Sequence, residues 1–118
     1  MTWVFVMLGG AAGTGLRYGL SSALQTTGEG FPYGTLTANV LGCFCIGAIT
    51  AALNHGLALP EAVRLGLTVG VLGGFTTFSS FGLETITMLQ DNRWAAALAY
   101  WSISNLAGLF AVWCGLRF

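Results

Sequence analysis

Four stretches without a charged side chain run through this chain: Thr2 to Leu16, Phe31 to Pro60, Leu65 to Leu83 and Trp94 to Leu116. Within the second, only His55 could carry a charge. A helix needs roughly 20 apolar residues to cross a bilayer core, and in that core every backbone N–H and C=O must be satisfied internally. The stretches therefore predict an all-α membrane protein with four transmembrane helices, near 3–23, 33–55, 64–89 and 95–116. Of the 118 residues 7% are charged, where soluble domains carry about a quarter, so residues 1–118 are expected to form one membrane domain with no soluble unit beside it.

Met1 to Gly10 carries no charge, and the first basic residue, Arg17, lies well inside the first stretch. A cleaved signal peptide would place its basic residues first, so this segment is expected to remain as a span. Orientation normally follows an excess of Lys and Arg on the cytoplasmic side. There is no lysine here, and with four spans Arg17 and Arg93 fall toward one side while Arg64 and Arg117 fall toward the other. A chain with so little bias is able to insert both ways, which makes an antiparallel pair of identical subunits plausible. No nucleic-acid partner is expected.

Glycines mark where helices approach each other. Gly9, Gly13, Gly15 and Gly19 give the first span two small-xxx-small spacings, and Gly66, Gly70 and Gly74 lie along the third. Between helices in lipid there is no hydrophobic drive, so close backbone contact through glycine supplies the packing. Connections are expected at Thr26 to Pro32, at His55 to Pro60 and at Gln90 to Arg93, with Glu61 after Pro60 suiting a helix's first turn. Trp3, Tyr33, Trp94 and Tyr100 or Trp101 are candidates for an interfacial aromatic belt. Cys43, Cys45 and Cys114 lack metal-type partners at useful spacing and read as small buried hydrophobes.

Polar side chains inside spans are costly and face protein or water. Thr35 and Asn39 are four residues apart and share a helix face, continued by Cys43 and Gly47; Tyr100 and Ser104 repeat the spacing in the fourth span, with Gly108 next. Ser102 and Asn105 form a second, rotated stripe. These groups serve either as hydrogen-bonding glue between helices or as a polar track.

The stretch Gly73 to Phe81, GGFTTFSSF, is the anomaly of the third span. Its glycines weaken a helix, and Thr76, Thr77, Ser79 and Ser80 offer hydroxyls to freed backbone groups, so a break is expected near the middle of the membrane. Carbonyls unwound in this way coordinate hard cations such as sodium. Phe78 and Phe81 lie three apart, on one face of a helix after the break. An aromatic ring has a positive edge, so such rings attract a small anion without a proton or a full charge, helped by a donor such as Asn39; the alternative is plain core packing. Arg17 either draws anions into a vestibule or snorkels to headgroups. Glu84, one turn past Phe81, either pairs with an arginine or lines the same route. No nucleophile with its base, no phosphate loop and no metal cluster stands out, so no catalysis is expected.

Gly9-Gly10-Ala11-Ala12-Gly13 through Arg17-Tyr18, the run Pro32 to Asn39 with Gly42, and Gly73 to Phe81 together make the chain similar, over nearly its whole length, to the Fluc family of fluoride channels, also called CrcB. The resemblance implies a dual-topology homodimer in the bacterial inner membrane, with two fluoride pores and a central structural sodium ion at the dimer axis. It implies carbonyls of Gly73 and Thr76 as sodium ligands, Phe78 and Phe81 as ring-edge residues, Asn39 as the pore amide, Thr35, Tyr100 and Ser104 as the polar track, and Arg17 in the vestibule. The partners implied are fluoride, sodium, lipid and a second copy of the chain, and the task implied is passive export of fluoride trapped in the cell. Gly108 stands where a further hydroxyl of the track is expected, and Ser80 where threonine is more usual.

Two rivals remain at this point. A small multidrug-type exporter would need a membrane-embedded carboxylate in the first span, which has none. A non-transporting helper binding a partner through its glycine faces would have no reason to place an amide, a break and ring edges at one depth.

Overall fold

The computed structural model describes residues 1–24 and 30–118; the connection expected at Thr26 to Pro32 lies largely outside the described residues. The described chain is helical apart from short connections. Helix α1 (Thr2–Leu24) and α2 (Tyr33–Asn54) are followed by α3 (Glu61–Leu65), which runs directly into a π-wound stretch (Gly66–Leu72) and a last turn, α4 (Gly73–Phe75). After two non-helical residues come α5 (Phe78–Gln90) and α6 (Trp94–Leu116). The helix ends lie within about three residues of the limits expected from the sequence, 3–23, 33–55, 64–89 and 95–116.

Three of these segments are long and apolar enough to cross a membrane: Tyr33–Asn54, Glu61–Gln90 and Trp94–Leu116. Helix α1 has the length, 23 residues, but is not among them. Its five glycines together with Thr14, Arg17, Ser21 and Ser22 dilute the apolar content that its leucines and valines supply.

The turns follow local chemistry. Gly56 takes φ 106° and lets Leu57 N–H reach back to the Ala52 carbonyl at 2.9 Å, closing α2 with a left-handed residue where a side chain would be strained. Pro60, extended at φ −55° and ψ 146°, starts α3, and its carbonyl accepts from Arg64 N–H at 3.0 Å. Between α5 and α6, Asn92 occupies the left-handed region at φ 59°, a conformation that asparagine tolerates better than most residues.

Two glycine seams set the packing. A methyl group on Gly9 would fall on the Gly66 carbonyl, and one on Gly13 on the Val71 carbonyl, so α1 lies directly against the third span. Likewise Gly47 meets the Val112 carbonyl and Gly115 the Phe44 carbonyl, joining α2 to α6. The second expected spacing makes no such contact among the described residues: Gly15 and Gly19 meet nothing there within 4 Å. They point to the side of α1 away from the third span, and one helix face cannot serve both pairs. The cysteines are free and half-buried.

The interruption of the third span differs in two ways from what its sequence suggests. Gly73 stays helical at φ −62° and ψ −39°, and it is Thr76 (φ −90°, ψ 157°) and Thr77 (φ −150°, ψ 125°) that are extended. The glycines serve contact instead, since a methyl on Gly74 would lie 2.6 Å from the Gly10 carbonyl. The threonines are β-branched and carry hydroxyls that compete for backbone partners, which favours leaving the helix. The π winding before the break has no counterpart in the sequence-based expectation; it occupies the stretch where Gly66 and Gly70 press on α1.

Candidate functional site

The interruption frees backbone groups, and side chains from three sources collect them. Thr76 Oγ1 donates to the Leu72 carbonyl at 3.0 Å, beside the Thr76 N–H at 3.0 Å. Thr77 caps α5, its Oγ1 accepting from Ser80 N–H at 3.2 Å. From α2, Asn39 Oδ1 accepts Thr77 N–H at 2.8 Å while its Nδ2 donates to the Thr77 carbonyl at 3.1 Å. One donor and one acceptor on the same residue leave the Asn39 amide a single orientation. From α1, Arg17 Nε donates to the Gly74 carbonyl at 3.1 Å, placing a cation at the negative end of a helix. Arg17 is thus tied to the broken segment, where the sequence left a choice between vestibule and headgroups.

The carbonyls of residues 73 to 76 lose their helical partners by this arrangement, that of Gly74 being taken up by Arg17. In an unbroken helix Gly73 would receive Thr77 N–H and Thr76 would receive Ser80 N–H; the first now goes to Asn39 and the second to the Thr77 hydroxyl. Gly73 and Thr76 are the two residues expected to present carbonyls to a cation. Oxygen donors of this kind suit a hard ion.

A cavity of about 380 Å³ opens beside the break. Asn39 and Cys43 line it from α2, Thr68 and Gly73 from the third span, Phe78 and Phe81 from α5, and Ser104 and Asn105 from α6. Ser104 Oγ is buried and has no hydrogen-bond partner among the described residues. The ring centroids of Phe78 and Phe81 lie 5.7 Å apart, but the two differ in setting: Phe81 is 8% exposed and Phe78 82%. The cavity lining includes Asn39, Phe78, Phe81 and Ser104, expected in an anion pore, and also Gly73 and Thr76, expected as carbonyl ligands of a separate cation. Gly108, where a further hydroxyl was expected, is buried, and a methyl there would sit 3.5 Å from Cys43 Sγ. Cys43 is accordingly a cavity wall as well as a packing residue.

Thr35 and Tyr100 are not on this cavity. They flank Glu84, Thr35 Oγ1 donating to Oε2 at 3.0 Å and Tyr100 Oη to Oε1 at 2.9 Å. The cluster ties α2, α5 and α6 together in the core, where Tyr100 is fully buried. Neither expected role of Glu84 anticipated two hydroxyl donors. The Phe81 ring, 5.2 Å from that of Tyr100, is what separates the cluster from the cavity. Tyr100→Phe takes one donor from a part-buried carboxylate and is expected to cost about 1 kcal/mol, read as a lower denaturant midpoint in detergent. Thr68 and the Gly42 notch, into which the Thr76 methyl fits, are site features that sequence reasoning did not single out for these roles. Thr68 could have been found as the hydroxyl five residues before the glycine pair.

Comparison with known proteins brings these residues into a family context. The family described as CrcB-like protein, Camphor Resistance (CrcB), matches residues 4–116. A protein of Sorangium cellulosum named "Fluoride-specific ion channel FluC" is 48% identical over 110 residues, covering 92% of this chain and 87% of that protein. One of the same name from Thermus thermophilus is 48% identical over 116 residues, 98% of this chain and 92% of the relative. A third, from Caulobacter vibrioides, is 44% identical over 115 residues, 96% and 91% of the two chains.

Proposed function

The chain belongs to the CrcB-like family, and on that premise we propose that it is a fluoride-selective channel, not an enzyme, which lets trapped cytoplasmic fluoride leave the cell and so relieves its toxicity. The observation that carries the reading is the cavity beside the broken helix, where an amide, two aromatic rings and an unpartnered hydroxyl converge without a full charge. A small hard anion entering it gives up water and takes ring edges of Phe78 and Phe81, the remaining Asn39 N–H and the Ser104 hydroxyl instead. A fixed positive charge in the narrows would hold such an ion too long for conduction. Arg17, bound to the Gly74 carbonyl, keeps its other guanidinium N–H groups for attraction at the vestibule.

Beyond the cavity the polar track continues at Thr35 and Tyr100, with Glu84 orienting both hydroxyls. Four spans, α1 included, make the subunit a multi-pass protein of the bacterial inner membrane. Two subunits assemble antiparallel, giving eight helices and two pores, and the second copy covers the Phe78 ring that one chain leaves exposed. The carbonyls of Gly73 and Thr76, whose amide donors are diverted, would hold a structural sodium ion together with those of the second copy. A cation there supplies a fixed positive charge between the broken helices.

Vesicles loaded with fluoride and containing the purified protein test the reading. Rapid fluoride efflux with no proton gradient, and little for chloride, is the expected result. Proton-coupled movement of a cation would support a multidrug-type exporter instead, and no flux would support a helper protein.

A further inference from the structure

We propose that Asn39 is a positioning residue for the Thr76 carbonyl, so that one side chain couples the anion cavity to the cation site; this rests on the sodium reading above. No peptide bond among the described residues is cis, and in a planar trans peptide the C=O and the N–H point in opposite directions. The peptide joining Thr76 to Thr77 has its N–H pinned to Asn39 Oδ1 at 2.8 Å, so its C=O, that of Thr76, is aimed away from Asn39.

A single hydrogen bond would allow that peptide to rock. The second, from Asn39 Nδ2 to the Thr77 carbonyl at 3.1 Å, fixes the next peptide as well and prevents it. The Thr76 side chain adds two restraints, its hydroxyl on the Leu72 carbonyl and its methyl in the notch over Gly42. Beyond the Thr76 N–H bond to the Leu72 carbonyl, Thr76 and Thr77 lie outside the helical ladder, so these contacts act on where the Thr76 carbonyl points. Asn39 also lines the cavity, with one N–H not engaged by Thr77. A group that draws on the Asn39 amide from the cavity therefore acts on the same peptide that aims the Thr76 oxygen.

The test is a sodium titration of the purified protein in detergent, in fluoride-free buffer with choline as the replacing cation, following thermal unfolding. An ion that binds only the folded state raises its stability by mass action. Asn39→Ala is expected to move the sodium midpoint upward about tenfold or more, the scale of losing a buried hydrogen bond. Phe81→Ile, which changes the cavity and not the clamp, should titrate like the wild type. Equal midpoints for wild type and Asn39→Ala would overturn the inference while leaving the sodium site standing. A wild type indifferent to sodium would overturn both. Should Asn39→Ala fail to fold, amide hydrogen exchange on the wild type decides: a protected Thr77 N–H that loses protection when sodium is withdrawn supports the coupling, and protection unaffected by sodium refutes it.

Discussion

Phe81→Ile is expected to lower fluoride flux through reconstituted vesicles by up to about tenfold while the protein stays folded. Isoleucine replaces most of the volume of the ring but has no positive edge. A favourable aromatic contact is worth about 0.5–1.5 kcal/mol, and a barrier raised by the upper figure slows passage roughly tenfold. The ring also braces its neighbours, with Phe78 at 5.7 Å and Tyr100 at 5.2 Å, so its loss disturbs both sides of the cavity wall. The packing cost of a smaller apolar side chain, about 1–2 kcal/mol, is too little to unfold the bundle. A fluoride electrode gives the flux and size exclusion the folded fraction. Wild-type flux in a folded Phe81→Ile protein would refute ring-edge coordination.

Gly13→Val is expected to remove nearly all monodisperse protein. A β-carbon at position 13 lands on the Val71 carbonyl and 2.9 Å from the Phe75 nitrogen, both backbone atoms that no rotamer change can move. Relief requires α1 to withdraw from the third span, and with it go the close contact of Gly9 with Gly66 and the bond from Arg17 to Gly74. Overpacking costs about 1–3 kcal/mol where side chains can yield, and more where they cannot. Gly15→Val is the matched control, because nothing lies within 4 Å of Gly15 among the described residues. The comparison is read as the yield of monodisperse protein after extraction, and equal yields would mean that the α1 seam does not hold the fold.

The parts of the molecule legible in the sequence are those governed by neighbours along the chain. Charge-free runs placed the helices, Pro60 and Glu61 marked the start of the third span, and a cluster of hydroxyls after two glycines marked the neighbourhood where Thr76 and Thr77 leave it. Helical spacing put Thr35 and Asn39 on one face, but it could not say what each would meet. Asn39 meets a backbone 38 residues away, Thr35 a carboxylate 49 away and Arg17 a carbonyl 57 away. Those pairings depend on how helices cross. The same limit explains why Thr35 and Tyr100 gathered around Glu84 instead of lining the cavity with Ser104. Spacing also made Phe78 and Phe81 equivalent, and only the packing of α6 against α5 separates a buried ring from an exposed one.

The π-wound stretch explains how α1 can follow the third span so far. Residues four apart on an α-helix overshoot a full turn by about 40°, so a row of them spirals off to one side. A wider turn brings the spacing of four back toward one revolution. Gly66, Gly70 and Gly74 are spaced by four through this stretch, and all three touch α1, at Phe5, Val6 and Gly10. The loosened winding acts as a change of gear that draws the glycine row toward a single line, the line along which α1 meets it.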